Sequence, residues 1–159
     1  MGERELATLK AVGLSSSAVD AEAASSALLG RYYAWDRSLR NELARLRAHR
    51  LGLAPEAYLR PELGEEGLMG LAQRVARSAF QAATPLEGEM ILESERWSFV
   101  DSLSPIQTFD FESIVAYMLK LLIIARVSSF NPVSGKEGYD ALYSGILGAW
   151  RSMRREYSA

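Results

Sequence analysis

The sequence predicts an all-α fold, a helical bundle of about five to six helices, and three observations carry that expectation. Leu28, Tyr32, Trp35, Leu39, Leu43 and Leu46 recur at intervals of three and four, which lines one side of a 3.6-residue helix. No alternating run of β-branched residues appears, and neither Asn-Gly nor Asp-Gly offers a hairpin turn. Prolines at 55, 85, 105 and 132 fall where periodic segments stop or start.

Taken in order, Glu3 to Val12 reads as a short helix, ended by Gly13 and a Ser-rich joint at Ser15 to Ser17. A long helix is expected from near Ala18 to about His49. Gly52 and Pro55 close it, because glycine accepts a left-handed C-terminal conformation and proline cannot continue the hydrogen-bond ladder. The stretch 55–67 reads as a connector, and a third helix spans about Glu65 to Ala82 with Leu68, Leu71, Val75 and Phe80 inward. Thr84-Pro85-Leu86-Glu87 is the clearest boundary, with a Thr N-cap, Pro at the first helical position and Glu placed to close a capping box. That fourth helix stops before Ser104-Pro105. Asp110 caps the next helix, 111–127, the most apolar stretch and the expected central core helix; Asn131-Pro132 ends it. A last helix is expected over Lys136 to Tyr157, with Tyr139, Leu142, Ile146, Leu147 and Trp150 inward. With 159 residues a single domain is expected, a short N-terminal helix and joint (1–17) preceding a main bundle (18–157).

Composition excludes several chemistries. Cysteine is absent, so there is no disulfide framework, thiolate metal site or Cys nucleophile. His49 is the only histidine, which leaves no partner for a His-based metal pair or triad, and no metal or cofactor is expected. Ser134-Gly135-Lys136 resembles the end of a phosphate loop, but position 130 is Phe where that motif needs Gly. The paired glutamates at 65/66, 87/89 and 93/95 are adjacent or alternate along helices and do not face one another across a cleft, so they read as solvated faces. The opening residues lack a basic start and an unbroken apolar run, and Lys120 and Arg126 interrupt 111–127. A cytoplasmic chain without direct membrane insertion is therefore expected.

Net charge is only −2, but unevenly spread. Residues 31–60 carry seven arginines against three acids, and 61–112 carry three arginines against ten acids. The imbalance is satisfied either by packing acidic helices beside the basic one or by a partner on each side. Nucleic acid is disfavoured as that partner, because Tyr32, Tyr33 and Trp35 fall on the apolar stripe rather than on the arginine face. Lys120 and Arg126 are isolated charges on an apolar helix, so each must reach the surface or a carboxylate, with Glu42, Glu89 and Asp101 as candidates.

Three segments together resemble an uncharacterised bacterial family encoded among the subunits of V/A-type, ion-translocating ATPases. The first holds Tyr33-x-Trp35, the run Leu39 to Gly52, and Tyr58-Leu59-Arg60; the second is Pro85 to Asp101; the third is Phe109 to Phe130. The resemblance implies a non-catalytic structural or assembly subunit, standing where the central-stalk component of the C/d type is otherwise found, peripheral to the membrane through the complex. The family's Tyr-rich opening and Ser-Leu-Pro motif are not found, which implies either a shortened chain or a missing part carried on another chain, with a full interface absent here in both cases. The contacts expected with ATPase subunits are Arg37, Arg40, Arg45 and Arg47 on a basic face and Glu93 and Glu95 on an acidic one. Glu42, Asp101, Lys120 and Arg126 are expected to be structural charges. A homodimer stays open. The competing reading is a helical enzyme or ligand binder with a pocket around Trp97, Tyr117 and Lys120.

Overall fold

The computed structural model describes residues 2–15, 26–63, 66–104, 110–131, 135–138 and 140–145. Its elements are α1 (Glu3–Ala11), α2 (Ala27–Arg50), a 3-10 turn (Pro55–Tyr58), α3 (Glu66–Phe80), α4 (Pro85–Leu103) and α5 (Phe111–Ser128). The described residues contain no strand, so the all-α expectation holds. The chain divides into two compact units, Met1–Val127 and Ser128–Ala159.

The first unit is built around α2. Tyr32, Trp35 and Leu39 are completely buried, and every residue from Tyr32 to Leu39 is at least nine-tenths buried, so the middle of this helix is largely covered on all sides. Trp35 stacks on Phe99 of α4 with ring centroids 4.4 Å apart. The segment after α1 is held by two tyrosines of α2: Gly13 N–H donates to the Tyr33 hydroxyl (3.2 Å), and the Tyr32 hydroxyl donates to the Leu14 carbonyl (3.3 Å). The start of α2 differs from expectation. Ser26 has extended backbone, so no helix runs through it from Ala18, and its hydroxyl accepts from Leu29 N–H (3.0 Å) as an N-cap. Residues 18–25 lie outside the described ones. Glu112 of α5 completes this end, accepting from Ser26 Oγ (2.6 Å), Ala27 N–H (3.0 Å) and Leu28 N–H (3.2 Å); its negative charge suits the positive helix terminus.

The C-terminal end of α2 follows the sequence closely. Gly52 has φ +68°, Leu53 N–H returns to the Ala48 carbonyl (2.9 Å) and Gly52 N–H to that of His49 (3.1 Å), the paired bonds of a Schellman motif. The chain then turns back on α2 through Arg60-Pro61-Glu62. Asn41 grips Arg60 in both directions, donating to its carbonyl (2.8 Å) and accepting from its N–H (3.0 Å), while Ser38 and Asn41 donate to Glu62 (2.7 Å each) and Arg37 to the Pro61 carbonyl (3.4 Å). This strap explains why polar residues sit inside: Arg37, Ser38 and Asn41 are buried because backbone and carboxylate partners are buried with them.

Helices α3 and α4 approach closely at Gly88, where a Cβ would meet the Ala79 carbonyl oxygen at 2.8 Å. The α4 cap forms as expected at Thr84, which accepts from Glu87 N–H (3.1 Å); the Glu87 carboxylate reaches one residue further back, to Ala83 N–H (3.0 Å). Asp110 caps α5 by accepting from Ser113 N–H (2.9 Å). Although the most apolar segment, α5 is not a central core helix. Val115, Ala116, Leu119 and Ile123 are buried, but Tyr117, Leu121 and Ile124 are exposed. Among the described residues no helix is long and apolar enough to cross a membrane.

In the second unit, residues 135–138 and 140–145 are helical. Leu142, expected inward, is 67% exposed. Tyr139, Ile146, Leu147 and Trp150 lie outside the described residues.

Candidate functional site

Helices α2, α4 and α5 are joined by a chain of buried and half-buried charges. Asp36 of α2 lies one position after Trp35, at the edge of the apolar stripe, and turns its carboxylate toward α4. Its Oδ1 accepts from Arg96 Nε (3.2 Å) and Nη2 (3.1 Å), and its Oδ2 pairs with Arg40 Nε (2.7 Å). Arg96 also donates through Nη1 to Glu93 Oε1 (2.7 Å), and Arg126 of α5 donates to the same oxygen through Nε (2.8 Å) and to Glu89 through Nη2 (2.9 Å). Burial works against the Arg96 charge, but Asp36 and Glu93 outweigh it and raise the guanidinium pKa above its ordinary value. The Tyr32 phenol is raised as well, first by burial and then by the Asp36 carboxylate. Glu93 Oε2 and Trp35 Nε1 are buried with no hydrogen-bond partner among the described residues.

Several expected site residues take other roles. Glu93, expected on an acidic contact face, is 1% exposed and works as an internal bridge between Arg96 and Arg126. Arg37, expected on the basic face, is 5% exposed and serves the strap. Arg40 and Arg47 are exposed, while Arg45 and Glu95 are half-buried. Glu42 pairs within its own helix with Arg45 and reaches neither Lys120 nor Arg126. Those two cations find carboxylates on α4: Arg126 at Glu89 and Glu93, and Lys120 at Asp101. The acidity of α4 is therefore answered by α5 and by its own Arg96, leaving the arginine surplus of α2 largely outside. Lys120 also stands 5.2 Å from the centre of the Trp97 ring. Trp97 and Tyr117 are exposed, and neither lines the cleft at Asp36 to Arg60 or the one between Ala27 and Glu112.

One such cleft, of about 150 Å³, adjoins the charge chain and is lined by Asp36, Arg37, Arg40, Asn41, Tyr58 and Arg60. Sequence reasoning missed Asp36, Asn41, Arg60 and Arg96. A signal for Arg96 existed: with Leu92, Phe99 and Val100 it shares the buried side of α4, so a charge sat on an apolar face in plain view. Among the described residues no group of three His, Cys, Asp or Glu is arranged to hold a metal ion. Comparison with protein-family models, curated proteins and solved structures yields no match.

Proposed function

We propose that this protein is a non-catalytic structural or assembly component of a bacterial V/A-type rotary ATPase, of the central-stalk C/d type. The observation that carries the reading is a pair of exposed apolar rows. Leu86, Met90 and Trp97 recur at helical spacing on α4, and Tyr117, Leu121 and Ile124 do so on α5. The ion pairs Lys120–Asp101, Arg126–Glu89 and Arg126–Glu93 tie these two helices together, so the rows belong to one braced element. Such a surface suits docking of another protein, and charged contacts set orientation and association rate more than affinity. Arg40 and Arg47, which are exposed, and Arg45 and Glu95, which are half-buried, are the charges proposed for such contacts elsewhere on α2 and α4. The segments resembling the ATPase-operon family coincide with α2 and its strap, with α4 and with α5, the elements that share the charge chain.

The test is affinity purification of the tagged protein from gently solubilised native cells, with mass spectrometry of the retained proteins. Recovery of ATPase catalytic and stalk subunits in fixed proportion supports the reading, and the double variant Leu121→Ser/Ile124→Ser should lose them while keeping its helical circular dichroism. An intact ATPase left entirely in the unbound fraction refutes it. Light scattering on the purified chain separates the case in which a second copy covers the rows.

A further inference from the structure

The cleft between α2 and the turn at Tyr58 to Arg60 has the makings of an anion site. We propose that it binds a small phosphate-type oxyanion, free or as the terminal group of a larger molecule. Three guanidinium groups, from Arg37, Arg40 and Arg60, line it against a single carboxylate. That carboxylate, Asp36, is already engaged on both oxygens, by Arg96 on one and by Arg40 of the lining on the other, so one negative charge stands against Arg40, Arg96 and the remaining guanidinium groups of Arg37 and Arg60. The lining is therefore cationic. Glu62, the nearest acid of the strap, is held by Ser38 and Asn41 and does not line the cleft.

The walls are also fixed before any ligand arrives. Asp36, Arg37 and Asn41 are each at least nine-tenths buried, and Asn41 clamps the Arg60 backbone through two hydrogen bonds. The Arg60 guanidinium itself has no protein partner among the described residues, although its backbone is among the best anchored of the strap. An arginine fixed at its root, with unspent planar donors and two like charges beside it, is relieved by an oxyanion that accepts from several guanidinium edges at once. The volume, about 150 Å³, suits one phosphate-sized group and is too small to enclose a nucleotide. Tyr58, exposed at the rim, leaves room for whatever the phosphate is attached to.

The test is titration of the full chain with inorganic phosphate, followed by amide NMR shifts of residues 36–41 and 58–62 at constant ionic strength, with chloride and acetate as comparison anions. Phosphate should produce saturable shifts in both segments that chloride does not. Arg60→Ala should weaken phosphate by about tenfold or more, the loss of a charge-assisted contact. Arg77→Ala, an exposed arginine of α3 away from the cleft, should change affinity less than about twofold, the scale of general screening. Methyl phosphate binding as tightly as phosphate supports a terminal phosphomonoester; preference for the inorganic ion supports free phosphate. Equal shifts with chloride, or unchanged affinity in a folded Arg60→Ala protein, overturn the proposal. The outcome is independent of the ATPase reading, because phosphate affinity and recovery of ATPase subunits are separate measurements.

Discussion

Replacing Arg96 by Met tests whether the charge chain holds the helices together. The substitution keeps a long side chain but removes three hydrogen bonds, at 3.2 and 3.1 Å to Asp36 and at 2.7 Å to Glu93. The side chains of Asp36 and Glu93 are 3% and 1% accessible, so neither can recover its lost partner from water. Breaking a buried pair costs about 3 to 5 kcal/mol, because an uncompensated charge stays behind. Here each carboxylate keeps one cation, Arg40 or Arg126, and both of these are nearly half exposed. The expected loss is therefore at the lower end, about 3 kcal/mol, which for a chain of this size lowers Tm by about 6 to 12 °C. Urea unfolding followed by circular dichroism at pH 7 reads it directly. The double variant Asp36→Asn/Arg96→Met should cost less than the sum of the single changes, since the second removes a charge that the first has stranded. A loss below about 1 kcal/mol for Arg96→Met, or strict additivity in the cycle, would refute the reasoning.

Three further outcomes are expected. Gly88→Ala forces a Cβ against the Ala79 carbonyl at 2.8 Å and should destabilise by about 1 to 3 kcal/mol in the same urea assay, because backbone must shift to admit it. The Tyr32 phenol ionises only well above its usual value near 10 when folded, so its contribution is complete below pH 10 and declines above it, by up to about 1.4 kcal/mol per pH unit. Tyr32→Phe should accordingly lose about 1 kcal/mol at pH 7, from the bond to Leu14, and show a shallower alkaline decline across pH 9 to 11. Lys120→Ala should cost about 1 kcal/mol or less by urea unfolding, since Asp101 is 60% accessible and the pair lies at the surface.

The features legible in the sequence are those whose cause lies within a few residues. Thr84, Asp110 and Gly52 act on backbone groups two to five positions away, and each cap formed where its residue type requires it. Ser26 acts just as locally, yet Ala18 to Ala27 reads as continuous helix because alanine favours a helix and masks a start signal within it. The contacts that join helices were not legible. Asp36 meets Arg96 across 60 positions and Glu112 meets Ala27 across 85, and no periodicity couples such distances. The burial of Glu93 was hidden for a related reason: alternating with Glu95 it reads as part of a solvated acidic face, and its second cation, Arg126, lies on another helix. The excess apolarity of α5 misled in the opposite direction, since its second row is exposed rather than buried. Of the cleft, only Arg37 and Arg40 were suggested by charge patterning. Arg60 and Asn41 acquire meaning once the strap folds back.

The carboxylate at the start of α2 has a temporal consequence. Glu112 is translated 85 residues after Ala27, whose backbone N–H it accepts. While the ribosome is still working through the intervening segment, the first turn of α2 has only its own Ser26 hydroxyl as a side-chain cap. Nascent chains arrested before residue 112 should therefore fray at Ala27 and Leu28, and release of α5 from the exit tunnel is the step that closes this end of the helix.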